Sequence, residues 1–230
     1  MSRDGLPLGR AASPDDPLRV AVLVSGRGSN MEAIARAAAR GEIPVKVVKV
    51  VADRPEAGAI ARARALGLDV SIVDYRALGR EAYHRRLLEE VEASGAELVA
   101  LAGYMRILPP EWVRRFERRI VNIHPSLLPS FPGLEPHRQA IEHGVKVSGC
   151  TVHLVDEGVD SGPIIVQRPV PVDDGDTPET LAAKVLEVEH RAYVEALSLL
   201  ASGQLVLTGR RVVRRALEAH GSTAEGSSSS

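Results

Sequence analysis

The feature that most constrains the fold is a regular exchange of short apolar runs with alanine-rich or charged helical stretches over residues 19–122. Arg19 to Ser25, Lys46 to Ala52, Val70 to Val73, Leu98 to Ala102 and Ile120 to Asn122 read as strands. The first of these is apolar throughout its middle, as a strand buried on both faces requires. Between them, Met31 to Arg40, Ala57 to Leu66, Gly79 to Ala93 and Glu111 to Arg118 read as helices. Gly41, Gly67 and Gly95 stand where the first three should stop. Strand–helix repetition of this kind predicts an α/β fold, a Rossmann-like, doubly wound and mostly parallel sheet with helices on both faces.

The rhythm changes after residue 146. Val147 to Val155 alternates, and Pro163 to Val170 is a further strand, so a two-strand ribbon is expected. Thr177 to Leu200 reads as a long helix with Thr177 as N-cap and Pro178 in its first turn. Leu205 to Val213 reads as a closing hairpin around Gly209. The expected organisation is a disordered lead-in at 1–18, one catalytic domain at 19–215 with a β-rich C-terminal half, and a flexible serine-rich tail at 216–230.

Three stretches carry chemistry. The central one is Asn122-Ile123-His124-Pro125-Ser126-Leu127-Leu128-Pro129. Pro125 biases His124 away from helical dihedrals, so the segment leaves a strand in extended form. Side chains two apart then share a face, and Asn122 and His124 project together. An amide donor beside an imidazole suits acyl transfer: one group for a developing oxyanion and one that moves protons near neutrality. The plain alternative is a polar strand end followed by a proline-rich turn.

The second stretch, Ser25-Gly26-Arg27-Gly28-Ser29-Asn30, joins the first strand to the first helix. A glycine turn there frees backbone N–H groups at a helix N-terminus, a place for a phosphate. A dinucleotide fingerprint would want glycine at position 31, where Met31 stands, and the lysine of a Walker loop is absent. Asp53 keeps open a ribose-binding role, hence a second reading as an NAD-dependent or non-catalytic nucleotide-binding protein. The third stretch, Asp156-Glu157-Gly158-Val159-Asp160-Ser161-Gly162, is acidic and long for a hairpin. Folded over His124, it would let Asp160 hold the imidazole and raise its pKa.

The other histidines show no metal-ligand spacing, so no metal is expected. His84 and His143 read as solvated and His153 as a buried structural residue, while His137 either lines the site or caps a helix. Cys150 is the single cysteine and the net charge is −1. These values exclude an internal disulfide and give no global field for nucleic acid. The N-terminus lacks a signal-peptide core, and no apolar run approaches the ~20 residues that span a bilayer. A cytoplasmic protein acting on small molecules, as monomer or homodimer, is expected.

With these pieces assembled, the chain resembles the phosphoribosylglycinamide formyltransferases from about Val20 to Gly203. The resemblance rests on Ser25 to Asn30, Ala102-Gly103-Tyr104-Met105-Arg106-Ile107-Leu108, Asn122 to Pro129 with Pro132-Gly133, and Asp156 to Gly162. It implies formyl transfer from 10-formyltetrahydrofolate to the glycine amine of glycinamide ribonucleotide. Asn122, His124 and Asp160 would be catalytic, with Asn122 and protonated His124 stabilising the oxyanion of a tetrahedral intermediate and Asp160 keeping His124 charged. Gly28, Ser29 and Asn30 would hold the ribonucleotide phosphate and Glu189 would contact the glycinamide, a residue that otherwise reads as solvated. Met105, Arg106, Ile107 and Leu108, with Asn122 and the backbone of Asp156, Glu157, Gly158, Val159 and Asp160, would hold the pterin. Arg80 would pair with the carboxylate end of the folate.

Overall fold

The computed structural model describes residues 5–215. The strands are β1 (Leu6–Leu8), β2 (Leu18–Val24), β3 (Val45–Ala52), β4 (Val70–Ile72), β5 (Leu98–Leu101), β6 (Ile120–His124), β7 (Val147–Leu154), β8 (Ile164–Pro171), β9 (Leu205–Thr208) and β10 (Arg211–Arg214). The helices are α1 (Ser29–Ala39), α2 (Gly58–Ala65), α3 (Tyr75–Leu78), α4 (Arg80–Ala93), α5 (Pro110–Arg115), α6 (Pro136–Glu142) and α7 (Pro178–Ala201).

Seven strands form one sheet in the order β4-β3-β2-β5-β6-β7-β8. The first five run parallel, and β7 and β8 are antiparallel to their neighbours. The expected ribbon of β7 and β8 is therefore annexed by the main sheet and extends its edge beyond β6. The chain passes from β2 outward to β4, then returns to β5 on the other side of β2. That reversal opens a crevice at the carboxyl ends of β2 and β5, where open α/β sheets bind ligands.

Burial follows from the residue pattern. In β2 every residue but Arg19 is buried, because helices cover both faces. One face packs Met31, Ile34 and Ala37 of α1 with Leu181, Val185, Ala192, Tyr193, Ala196 and Leu197 of α7. The other packs Tyr83, Leu87 and Val91 of α4 with Trp112 and Phe116 around α5. The α7 start carries a capping box between Thr177 and Thr180, with Pro178 at the first position, where its missing N–H costs nothing.

The lead-in is not a disordered segment over residues 5–18. β1 pairs antiparallel with β9, and β9 with β10, giving a separate three-stranded sheet. Leu8 is buried in the main core. Arg10 bonds Glu97 at 2.6 Å and Asp16 at 2.9 Å, and the Ala12 N–H donates to the Ala201 carbonyl. Composition alone hid this, because glycine and proline here shape a strap instead of a coil: a Cβ on Gly9 would sit 2.0 Å from the Leu200 carbonyl oxygen. Regular structure thus begins before residue 19. The tail expected at 216–230 lies outside the described residues.

Candidate active site

The site begins with the register of β6 and β7. Asn122 pairs with His153 and His124 with Thr151, so Asn122, His124 and His153 come to one end of two adjacent strands. The proline-rich loop leaving β6 is stapled back: Thr151 Oγ1 donates to the Ser126 carbonyl and accepts from the Leu128 N–H, and Gln167 Nε2 donates to the Leu128 carbonyl.

Asp160 lies at the centre. Its Oδ2 is 3.3 Å from His124 Nδ1 and accepts from the Gly133 N–H at 2.8 Å. Its Oδ1 is 3.4 Å from Asn122 Nδ2 and 3.7 Å from His153 Nε2. The residue holds φ at +50°, a left-handed conformation costly for a side chain with a Cβ. Burial works against its charged form, but His153, the Gly133 N–H and His124 together keep its pKa below the ordinary carboxylate value.

His124 corrects the sequence expectation. Burial dominates and lowers its pKa below the ordinary histidine value, and His153 lowers it further. The Phe131 carbonyl, 2.8 Å from Nε2, and Asp160 both raise it without overcoming burial. Asp160 thus acts on the ring in the expected direction, but burial outweighs it in the net shift.

His153 was expected to be only structural. Its Nδ1–H donates to the Leu154 carbonyl, which leaves Nε2 to accept from Asn122 Nδ2 at 3.3 Å. It thus orients Asn122 and touches Asp160. The signal that marks it is strand register, since alternation put its side chain on one face without naming the cross-strand partner. His84, expected to be solvated, is buried in α4, where its carbonyl accepts from Trp112 Nε1; burial and then Arg80 lower its pKa.

A cavity of about 480 Å³ opens over these groups. It is lined by Met105, Arg106, Ile107 and Leu108, by Asn122, His124 and His153, by Gly133 and Leu134, and by Asp156 to Asp160. Met105, Ile107, Leu134 and Val159 are exposed apolar side chains at its rim. An apolar rim over a polar floor is the pattern of a small-molecule site. The Met105 N–H is already given to Ser25 Oγ at 2.9 Å, whereas the N–H groups of Arg106, Ile107 and Leu108 have no partner among the described residues. Arg80, exposed at the start of α4, does not line the cavity. Among the described residues no group of three or more His, Cys, Asp or Glu is placed to hold a metal.

The glycine loop lies at the end of β2. Gly28 caps α1 at φ +78°, and a Cβ there would meet Ala59 Cβ at 2.5 Å. Ser25 joins this loop to the cavity wall through Met105 and through its N–H to the Gly103 carbonyl. Asn30 is buried and donates to Glu189 Oε2 at 2.9 Å, while its own Oδ1 has no partner among the described residues. Glu189 is buried, not solvated; burial pushes its carboxyl up to about 7 against the opposing pull of Asn30. Asp53 is not open to a ribose. Arg106 Nε bonds its Oδ2 at 2.8 Å, and the same guanidinium lies 4.1 Å over the Tyr75 ring. Met31, where the dinucleotide fingerprint wants glycine, is a fully buried core residue. Both observations remove the NAD reading.

Residues 18–197 match the family described as Formyl transferase. The chain belongs to the formyl transferase family. Its relatives include phosphoribosylglycinamide formyltransferase of Escherichia coli strain K12, 41% identical over 189 residues that cover 82% of this chain and 89% of that one. Trifunctional purine biosynthetic protein adenosine-3 of Gallus gallus is 43% identical over 187 residues, 81% of this chain and 19% of that protein. The chain thus spans less than a fifth of that larger relative. The crystal structure of glycinamide ribonucleotide transformylase 1 from Symbiobacterium toebii superposes with a TM-score of 0.84 at 50% identity, covering 86% of this chain and 94% of that one.

Proposed function

We propose that this formyl transferase moves the formyl group of 10-formyltetrahydrofolate to the glycine amine of glycinamide ribonucleotide. The observation that carries the reading is the meeting of Asn122, His124 and Asp160 on the floor of an apolar-rimmed cavity, with a glycine loop tied to its wall by Ser25. The donor folate, when bound, supplies an activated one-carbon group on a nitrogen that can leave. The cavity fits its pterin: three unengaged N–H groups at 106–108 and the acidic loop at 156–160 offer complementary edges, and the rim offers apolar cover. Gly28, Ser29 and Asn30 hold the ribonucleotide phosphate at the α1 N-terminus, and the Glu189 carboxyl, bonded by Asn30 Nδ2, contacts the glycinamide.

The residues then divide the work. Asn122 Nδ2 donates to the oxygen that becomes negative as the amine adds to the formyl carbon. Neutral His124 takes the proton that the attacking nitrogen sheds and becomes imidazolium beside the Asp160 carboxylate. It returns that proton to the departing folate nitrogen, so the balance closes with no covalent enzyme intermediate. Protonated His124 is on this account a state of the intermediate, not of the resting site.

The test is a direct assay with synthetic glycinamide ribonucleotide and 10-formyltetrahydrofolate, followed by folate absorbance. His124→Ala is expected to lose about 10²–10⁴-fold in kcat and Asn122→Ala about 10²–10³-fold. Near wild-type turnover in either variant would sink the mechanism.

A further inference from the structure

The hairpin of β9 and β10 lies beyond the stretch that matches the family, yet its tip reaches the catalytic loop. Arg210, in the turn after Gly209, donates from Nη2 to the Ser161 carbonyl. Ser161 is gripped from its other end as well: its Oγ donates to Asp156 Oδ1 at 2.6 Å, which also accepts from the Gly158 N–H at 3.1 Å. Beyond it Gly162 is wedged against β7, since a Cβ there would lie 1.8 Å from the Leu154 carbonyl oxygen. Asp160 sits inside these fastenings at φ +50°, in the left-handed region. The space between hairpin and loop is a second cavity of about 640 Å³, lined by Val159 to Gly162 on one side and Arg210 to Val212 on the other. No other side chain spans from the hairpin to this loop among the described hydrogen bonds. The hairpin in turn is backed by β1 through β9.

We propose that Arg210 is a positioning residue for formyl transfer: by holding the Ser161 carbonyl it keeps the Asp160 carboxylate on His124 and Asn122. The assignment rests on the reading of the site given above. It makes the terminal sheet part of the catalytic apparatus, with β1 and β9 as the frame and Arg210 as the brace. The groups facing His124 are Asp160 from the loop, His153 from β7, His137 from α6 and the Phe131 carbonyl. Of these only Asp160 depends on the brace.

Two measurements on Arg210→Ala test the proposal. Because Arg210 is exposed, the variant is expected to fold. The first is steady-state kinetics: kcat should fall about tenfold with KM for both substrates little changed, and Arg210→Lys, which keeps a donor, should recover most of the rate. The second is an NMR titration of the His124 ring, which needs no turnover. A displaced Asp160 no longer supports the imidazolium, so the His124 pKa should fall below that of the wild type. Removing a cation without moving Asp160 acts in the opposite direction and would raise it. A His124 pKa that rises or stays put, or a kcat equal to the wild type, overturns the proposal. Wild-type protein without formyl transfer would overturn the reading of the site instead, and the titration would still decide what Arg210 does.

Discussion

His124 presents both ring nitrogens to acceptors, the Phe131 carbonyl and Asp160, inside a pocket that resists charge. A neutral ring satisfies only one of them with a proton, so the site is primed to gain one when negative charge appears above it. Asp160→Asn removes the carboxylate that raises the His124 pKa. The acid limb of the kcat profile, set by a base that must be neutral, is then expected to move to lower pH while the plateau drops. A limb that stays in place would show that Asp160 acts elsewhere. Glu189 makes a separate prediction. Its carboxyl goes from an ordinary 4.5 in the unfolded chain to about 7 in the fold. The folded state therefore binds more protons over that window, and stability falls as pH rises through it, levelling off above. Glu189→Gln is expected to flatten this slope, by a few kcal/mol in order of magnitude, in denaturant titrations compared at pH 5 and pH 8.

Among the elements, the glycine turn before α1 is the one least free to vary. Gly28→Ala must both hold φ near +78° and push Ala59 away from 2.5 Å, so the turn itself shifts. The expected result is a rise of about tenfold or more in KM for the ribonucleotide, with KM for the folate much less affected; equal changes in both would argue against a phosphate turn. This element was legible in the sequence because glycine spacing encodes backbone geometry directly. Strands β2 and β5 were legible for a similar reason, since burial on both faces leaves an unbroken apolar run from Val20 to Val24 and from Leu98 to Leu101. Long-range partnerships were not. Alternation in Val147 to Val155 marked a strand but gave no hint that His153 faces Asn122, or that β7 would join β6 instead of standing apart. Nothing local in Arg106 or Asp53 revealed their ion pair, and α3 and α6 were too short to show a helical period. Asn122, His124 and Asp160 were each marked by local chemistry, whereas the balance of burial against charge at His124 required the packed cavity.

At the scale of the whole molecule, the large sheet carries the candidate site at the carboxyl ends of β2, β5 and β6, and the small sheet brings residues 6–8 beside 205–214. That pairing has a price in vulnerability. β9 lies between β1 and β10, so cutting away the first twelve residues would bare one whole side of Leu205-Val206-Leu207, with its backbone groups unpaired and Leu8 gone from the core beneath. Such a shortened chain is expected to melt at lower temperature and to lose activity in parallel. Light scattering should also show it gathering into larger particles at concentrations where the full chain stays dispersed. The segment that looks most dispensable in the sequence would then be the one that keeps neighbouring molecules from zipping together.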